Sequence, residues 1–293
     1  MRRAGHTLPA LTVVLFALGI TTVAAYVNPT GLFKVNGHHL YLTCVGTGKP
    51  VVILDPGLST SSSYWPGSVL RAKALHTRVC AYDRYGLGQS DGSSWTPKTR
   101  TIDQAVNDLH ALVRSARLKG PYVFAGWATG GLIGREYARR FPKDVAGMVQ
   151  LDAAADDWDT YTGTETFTSS TPYGQESLNF AAAETALRAH DSIGAKPLVV
   201  VEAGDDSTVK ATYASDKTDA DFQSYWDSSQ RSLARISRNS IFVVAVNSAH
   251  NSLAQDAPGL TVEALRLVVH SVRSHTKLAR CAKTKLPKLG GRC

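Results

Sequence analysis

The residues Gly126-Trp127-Ala128-Thr129-Gly130-Gly131 sit where their types and spacing point to covalent chemistry. The apolar run Tyr122 to Ala125 before them reads as a strand, and Leu132 to Arg140 after them reads as a helix. A strand, a cramped turn flanked by small residues and a helix present the central side chain of G-x-S-x-G as a nucleophile. The central position here is Ala128, and a methyl group cannot attack an electrophile. Thr129 is no substitute, because shifting the frame by one puts Trp127 where a small residue is needed. A nucleophile in such a turn needs a base to take its proton and a carboxylate to orient that base. Those groups have to come from elsewhere in the chain.

Length and composition bound what can carry them. The 293 residues suffice for one large α/β domain or two small ones, and 43% hydrophobic against 19% charged residues allows a packed core. The net charge is +8. Arg2 and Arg3 contribute to it, and most of the rest collects late, in Arg273, Lys277, Arg280, Lys283, Lys285, Lys288 and Arg292. A nucleic-acid surface would interleave aromatic residues with such charge. This segment has none, so no nucleic-acid partner is expected. A solvated basic tail over 276–293 is, and it would suit contact with an anionic cell-surface polymer.

The first 25 residues read as a secretion signal. Arg2-Arg3 form a charged start, Leu11 to Ile20 an apolar core, and Val23-Ala24-Ala25 a small-residue cleavage site. The alternative is an uncleaved anchor, since the weakly polar stretch from Leu8 to Val27 approaches the ~20 residues that span a bilayer. Membrane contact is expected only through this segment. Cys44, Cys80, Cys281 and Cys293 make an even count in an exported chain, without C-x-x-C spacing or a histidine cluster. Disulfides are favoured over a metal site, and no metal or cofactor is expected.

The remaining residues alternate strands and helices. Leu32–Val35 and His39–Cys44 flank Asn36-Gly37, a hairpin signal. Val51–Leu54 is wholly apolar, as in a sheet covered on both faces. Trp65 to Leu75 can form a helix, Thr77 to Asp83 is a strand, and Arg84 to Ser90 is a glycine-rich turn. Thr101 to Leu118 has helical spacing. Val145–Leu151 is a strand closed by Asp152. Ala153 to Tyr173 has little periodicity, and Ser177 to His190 reads as a helix. The strand Leu198–Val201 leads to Gly204-Asp205-Asp206, and the strand Ile241–Val246 leads to Ser248-Ala249-His250. Helices over Phe222 to Ile236 and Leu260 to Val272 complete the pattern. It predicts a mainly parallel sheet with helices on both faces and one small lid over 153–196.

Four motifs, in order and on these elements, make the chain resemble the α/β-hydrolase fold family, serine esterases and lipases in particular, from about residue 32 to 275. They are Pro56-Gly57-Leu58 after a strand, Asp83 to Ser90, the turn at Gly126–Gly131, and Ala249-His250-Asn251 before the last helix. The resemblance implies a mainly parallel sheet of eight strands in one domain, 26–275, with the lid inserted. It makes the second and fourth strands neighbours, so Cys44 would bridge to Cys80 and Cys281 to Cys293. It makes His250 the base. The acid is left between the Asp205/Asp206 pair, where the usual G-x-x-D is one residue short, and Asp152. The backbone N–H groups of Leu58 and Thr129 would form the oxyanion hole. Trp127, beside the nucleophile position, and Trp158, in the lid, would contact substrate.

These residues imply hydrolysis of a carboxylic ester or related acyl bond in a small-molecule ester or lipid, through an acyl-enzyme, had Ala128 been serine. As written, the chain is expected to bind substrate without turning it over. Two alternatives remain. One is a natural non-catalytic binder of small molecules or lipids. The other is an epoxide hydrolase or dehalogenase type whose aspartate nucleophile was lost.

Overall fold

The computed structural model describes residues 28–92 and 98–293. The expected secretion signal lies outside the described residues. The chain opens with the hairpin β1 (Thr30–Val35) and β2 (His38–Val45), turned at Asn36-Gly37, both with positive φ. Then come β3 (Val51–Asp55), the four-residue α1 (Gly67–Leu70), β4 (Val79–Tyr82) and the two-residue β5 (Arg100–Thr101). α2 (Ile102–Ser115) starts on a reciprocal cap between Thr101 and Gln104. The centre is β6 (Tyr122–Trp127), α3 (Thr129–Arg140) and β7 (Val145–Leu151). α4 (Trp158–Thr162), β8 (Thr166–Thr171), β9 (Gly174–Asn179) and α5 (Ala181–His190) fill the segment expected as a lid. β10 (Leu198–Asp205), α6 (Ser207–Tyr213), α7 (Asp219–Arg235), β11 (Ser240–Ala249), α8 (Leu253–Asp256), α9 (Pro258–Ser274) and β12 (Gly291–Arg292) complete the chain.

One sheet runs β1-β2-β4-β3-β6-β7-β10-β11-β12, parallel from β4 through β11 and antiparallel at its ends. Its central strands are buried on both faces, and successive residues serve opposite cores. Val51, Ile53, Tyr122, Phe124, Leu198 and Val200 pack on the side of α2, α3, α5 and α7. Val52, Leu54, Val123, Ala125, Val199 and Val201 pack on the side of α9.

Cys44 and Cys80 face each other across β2 and β4 and are bonded, and Cys281 is bonded to Cys293. Three local expectations change. The helix expected over Trp65 to Leu75 is broken into α1 and short 3-10 turns, with Pro66 capping α1. The aperiodic stretch after Ala153 contains α4 and β8, and β9 pairs with both β8 and β5 in a second, three-stranded sheet. The last residues are not simply solvated. Leu286 is buried against the core, and β12 pairs with β11 as a ninth strand. Among the described residues no helix is long and apolar enough to cross a membrane.

Candidate active site

The turn between β6 and α3 has the backbone of a nucleophile elbow. Ala128 lies at φ 50°, ψ −121°, a region disfavoured for any residue with a side chain. Such a conformation costs on the order of 1–3 kcal/mol and persists only where its surroundings impose it. The surroundings here are backbone. Ala128 N–H donates to the Leu151 carbonyl at 3.1 Å, and the Ala128 carbonyl accepts from Gly131 and Ala154. The flanking glycines are obligatory for packing. A Cβ on Gly126 would lie 2.3 Å from the Gly130 carbonyl oxygen, and one on Gly130 would lie 2.2 Å from that of Asp55. The backbone frame is complete, and its central side chain is the methyl of Ala128.

His250 follows β11 in a short 3-10 turn and is buried. Its Nδ1 lies 2.5 Å from Asp152 Oδ2. Asp152, fully buried at the end of β7, accepts at Oδ1 from Ala203 N–H at 3.1 Å and Trp226 Nε1 at 3.0 Å. Burial pushes its carboxyl up, but the His250 contact and the Ala203 N–H help hold it below the usual carboxylate range. With Nδ1 committed to Asp152, Nε2 is the ring nitrogen left for chemistry on the cavity side. Trp127 Nε1 donates to the His250 carbonyl at 2.9 Å and fixes the turn from behind.

The three candidate acids therefore separate. Asp152 holds the imidazole. Asp205 is exposed on β10 and accepts from Ser207 N–H at 2.9 Å, away from His250. Asp206 is buried, with its nearest oxygen 3.9 Å from His250 Nδ1 and no donor on either oxygen. Burial and the neighbouring Asp152 charge raise its pKa far enough to keep it protonated at neutral pH. The pairing of β10 with β11 shifts register between Ala203 and Asp205. That bulge turns Asp205 outward and Asp206 inward.

Asp152, Asp206 and His250 are also the group among the described residues whose ligand atoms lie close enough to suit a cation, all within 4.8 Å of one another. The Asp152 oxygens and His250 Nδ1 are already hydrogen-bonded, so the donor set fits a shared proton better than a metal ion.

Ala128 and His250 open on a cavity of about 280 Å³, which Leu58, Trp127, Thr129 and Trp158 also line. Its far wall is aromatic: Phe167, Phe180, Tyr213 and Trp226. Thr129 is the first residue of α3, where N–H groups lack helical acceptors and the helix dipole favours negative charge. Sequence reasoning did not single out Trp226 or a buried Arg84 that braces the loop after β3. A tryptophan on an amphipathic helix carries no mark that its N–H will meet a carboxylate. Arg84 could have been noticed as a charge inside a turn between apolar strands.

The model of the family described as alpha/beta hydrolase fold matches residues 50–166, from the residue before β3 to the start of β8. Solved structures of similar shape include a thermophilic esterase from Thermogutta terrifontis, with TM-score 0.57 and 18% identity over 83% of this chain and 99% of that one. The enol-lactonase from Burkholderia xenovorans LB400 gives TM-score 0.56 and 20% identity over 79% and 96%. The chain has the α/β-hydrolase fold. Among curated sequences it is 26% identical to the uncharacterized protein YqjL of Bacillus subtilis (strain 168) over 212 residues, 70% of this chain and 78% of that protein. Other curated relatives, 29–35% identical, are matched over 19–41% of their own length.

Proposed function

We propose that this protein is a secreted carboxylic-ester (acyl) hydrolase by descent, in which Ala128 has replaced a serine, leaving a site that binds an ester without forming an acyl-enzyme. The observation that carries the reading is the strained elbow at Ala128, held beside a buried His250–Asp152 pair. A binding pocket alone needs neither a strained turn nor an oriented imidazole. With an oxygen nucleophile at 128, His250 Nε2 would take its proton and Asp152 would stabilise the resulting imidazolium. The Leu58 and Thr129 N–H groups would receive the negative charge that develops on the substrate oxygen. Without that nucleophile, the same N–H groups can still hold the ester carbonyl over the methyl of Ala128.

The aromatic cavity wall favours an apolar ester, and esterase and enol-lactonase neighbours support acyl chemistry. Two disulfides fit an oxidising compartment, and residues 1–25 serve as the signal in this reading.

The test is Ala128→Ser assayed on p-nitrophenyl esters. Removing the nucleophile of a comparable enzyme costs about 10⁶ in kcat, so restoring it should raise turnover by several orders of magnitude. A folded Ala128→Ser protein that stays at background on every ester sinks the proposal. Ala128→Asp assayed on epoxides tests the chemistry of the alternative nucleophile.

A further inference from the structure

Beside the cavity, the loop carrying Leu58 is held by a buried polar cluster that the acyl-transfer reading does not use. Arg84, 3% exposed, spends all five guanidinium donors. Nε and Nη2 grip the two Glu176 oxygens at 2.7 and 2.8 Å. Nη1 donates to Asp55 Oδ1 at 2.6 Å and to the Pro56 carbonyl at 2.7 Å, and Nη2 donates to the Gly57 carbonyl at 2.7 Å. Glu176 Oε2 also accepts from Ser59 N–H at 3.0 Å. Ser59, at φ 55°, is tied to the lid through Ser169, Thr171 and the Glu176 backbone.

The Pro56 and Gly57 carbonyls before Leu58 are thus held by Arg84, the latter also by Thr60 N–H at 3.2 Å and Thr60 Oγ1 at 2.8 Å, and Ser59 after it is held by the hairpin of β8 and β9. The consequence for Leu58 is geometric. In a planar trans peptide the N–H points opposite to the preceding C=O. The Gly57 carbonyl is pulled onto Arg84, so the Leu58 N–H of the same peptide unit is aimed the other way, toward the cavity side. A cation on the carbonyl also polarises that peptide and strengthens its N–H as a donor.

We infer that Glu176 of the lid hairpin, acting through Arg84, is a positioning residue that aims the Leu58 N–H as an oxyanion donor, so that lid placement and oxyanion-hole assembly are one event. The inference rests on the acyl-hydrolase reading for its purpose, but not for its physical test. The same hairpin supplies Phe167, Ser169 and Thr171 to the cavity. Substrate contacts that seat the hairpin would thereby also set the hole.

Two measurements test it. In the Ala128→Ser protein, Glu176→Gln, which keeps the shape but loses the charge and one fork of the Arg84 grip, should lower kcat for p-nitrophenyl butyrate about ten-fold with KM within about two-fold. In the chain as it stands, hydrogen exchange followed by NMR should show the Ser59 and Thr60 amides of Glu176→Gln exchanging at least about ten-fold faster, with amides of α3 unchanged. If Glu176→Gln does not fold, Glu176→Asp takes its place in both arms. It keeps the charge, but one methylene shorter it cannot hold both Arg84 nitrogens and the Ser59 N–H from the same backbone position. Unchanged kcat, a loss confined to KM, or unchanged Ser59 exchange overturns the inference. If the Ala128→Ser protein is inactive, the acyl-hydrolase reading fails and exchange alone decides the clamp. Faster Ser59 exchange then supports it, and unchanged exchange overturns it.

Discussion

The elbow and the lid hairpin face each other across one cavity and are held in opposite ways. The elbow is fixed by packing of backbone on backbone, with glycines at 126 and 130 leaving no room for a Cβ. Its geometry therefore does not depend on the central side chain, and it survives with Ala128. The hairpin exposes much of its own surface. It is fixed by a few buried ionic and hydroxyl contacts, through Glu176, Ser59 and Thr171. Close packing holds a backbone geometry whatever side chain sits at its centre, whereas a polar clamp depends on each of its members.

The sharpest test of the elbow side concerns its acid. In the Ala128→Ser protein, Asp152→Asn should cost about 10⁴ in kcat, because the wrong imidazole tautomer is then stabilised. Asp205→Asn should stay within about two-fold. Equal losses would place the acid elsewhere.

Backbone packing comes next. Gly130→Ala puts a Cβ 2.2 Å from the Asp55 carbonyl oxygen, and should cost about 3 kcal/mol, lowering Tm by about 6–12 °C in a protein of this size. Gly163→Ala, at the end of α4 with open space around it, should cost only about 1 kcal/mol for its positive φ. Calorimetry of both would break the comparison if the order reversed.

On the lid side, Phe167→Leu trims the aromatic wall at nearly constant volume. In the Ala128→Ser protein it should raise KM for aromatic acyl esters about two- to ten-fold with kcat little changed.

The last test is electrostatic. Burial pushes Glu184 and Glu202 each up to about 9, and burial with the Asp152 charge pushes Asp206 up as well. The folded chain then keeps protons that the unfolded chain releases above its ordinary carboxylate range. Stability from these groups is greatest below that range and declines as pH rises toward their folded values. Tm should therefore fall between about pH 5 and about pH 9, and Asp206→Asn should flatten the decline. A Tm that rises over that interval would contradict the burial of these carboxyls.

Much of the elbow side was legible in the sequence because glycine spacing and wholly apolar strands record close packing directly. The strand order implied by the resemblance also brought Cys44 opposite Cys80. The choice of Asp152 was not legible. It depends on a bulge at Gly204 that turns Asp205 out, and nothing in Gly204-Asp205-Asp206 marks which aspartate faces inward. The lid hairpin was missed for a related reason. In Thr166–Thr171 only Phe167 is buried, so β8 lacks the alternation that announces a strand. Its partners, Ser59 and Arg84, lie far away in sequence.

The two-residue strand β12 has a consequence for solubility. A sheet edge with free N–H and C=O groups is a template for another chain. At the β11 edge, Gly291 and Arg292 pair with Ala245 and Val244, next to the exposed Val246. The cover is anchored by buried Leu286 and by the Cys281–Cys293 bridge. Reduction of that bridge would loosen the cover and offer β11 to a second molecule. The bond that closes the basic tail thus also anchors the strand that covers the β11 edge.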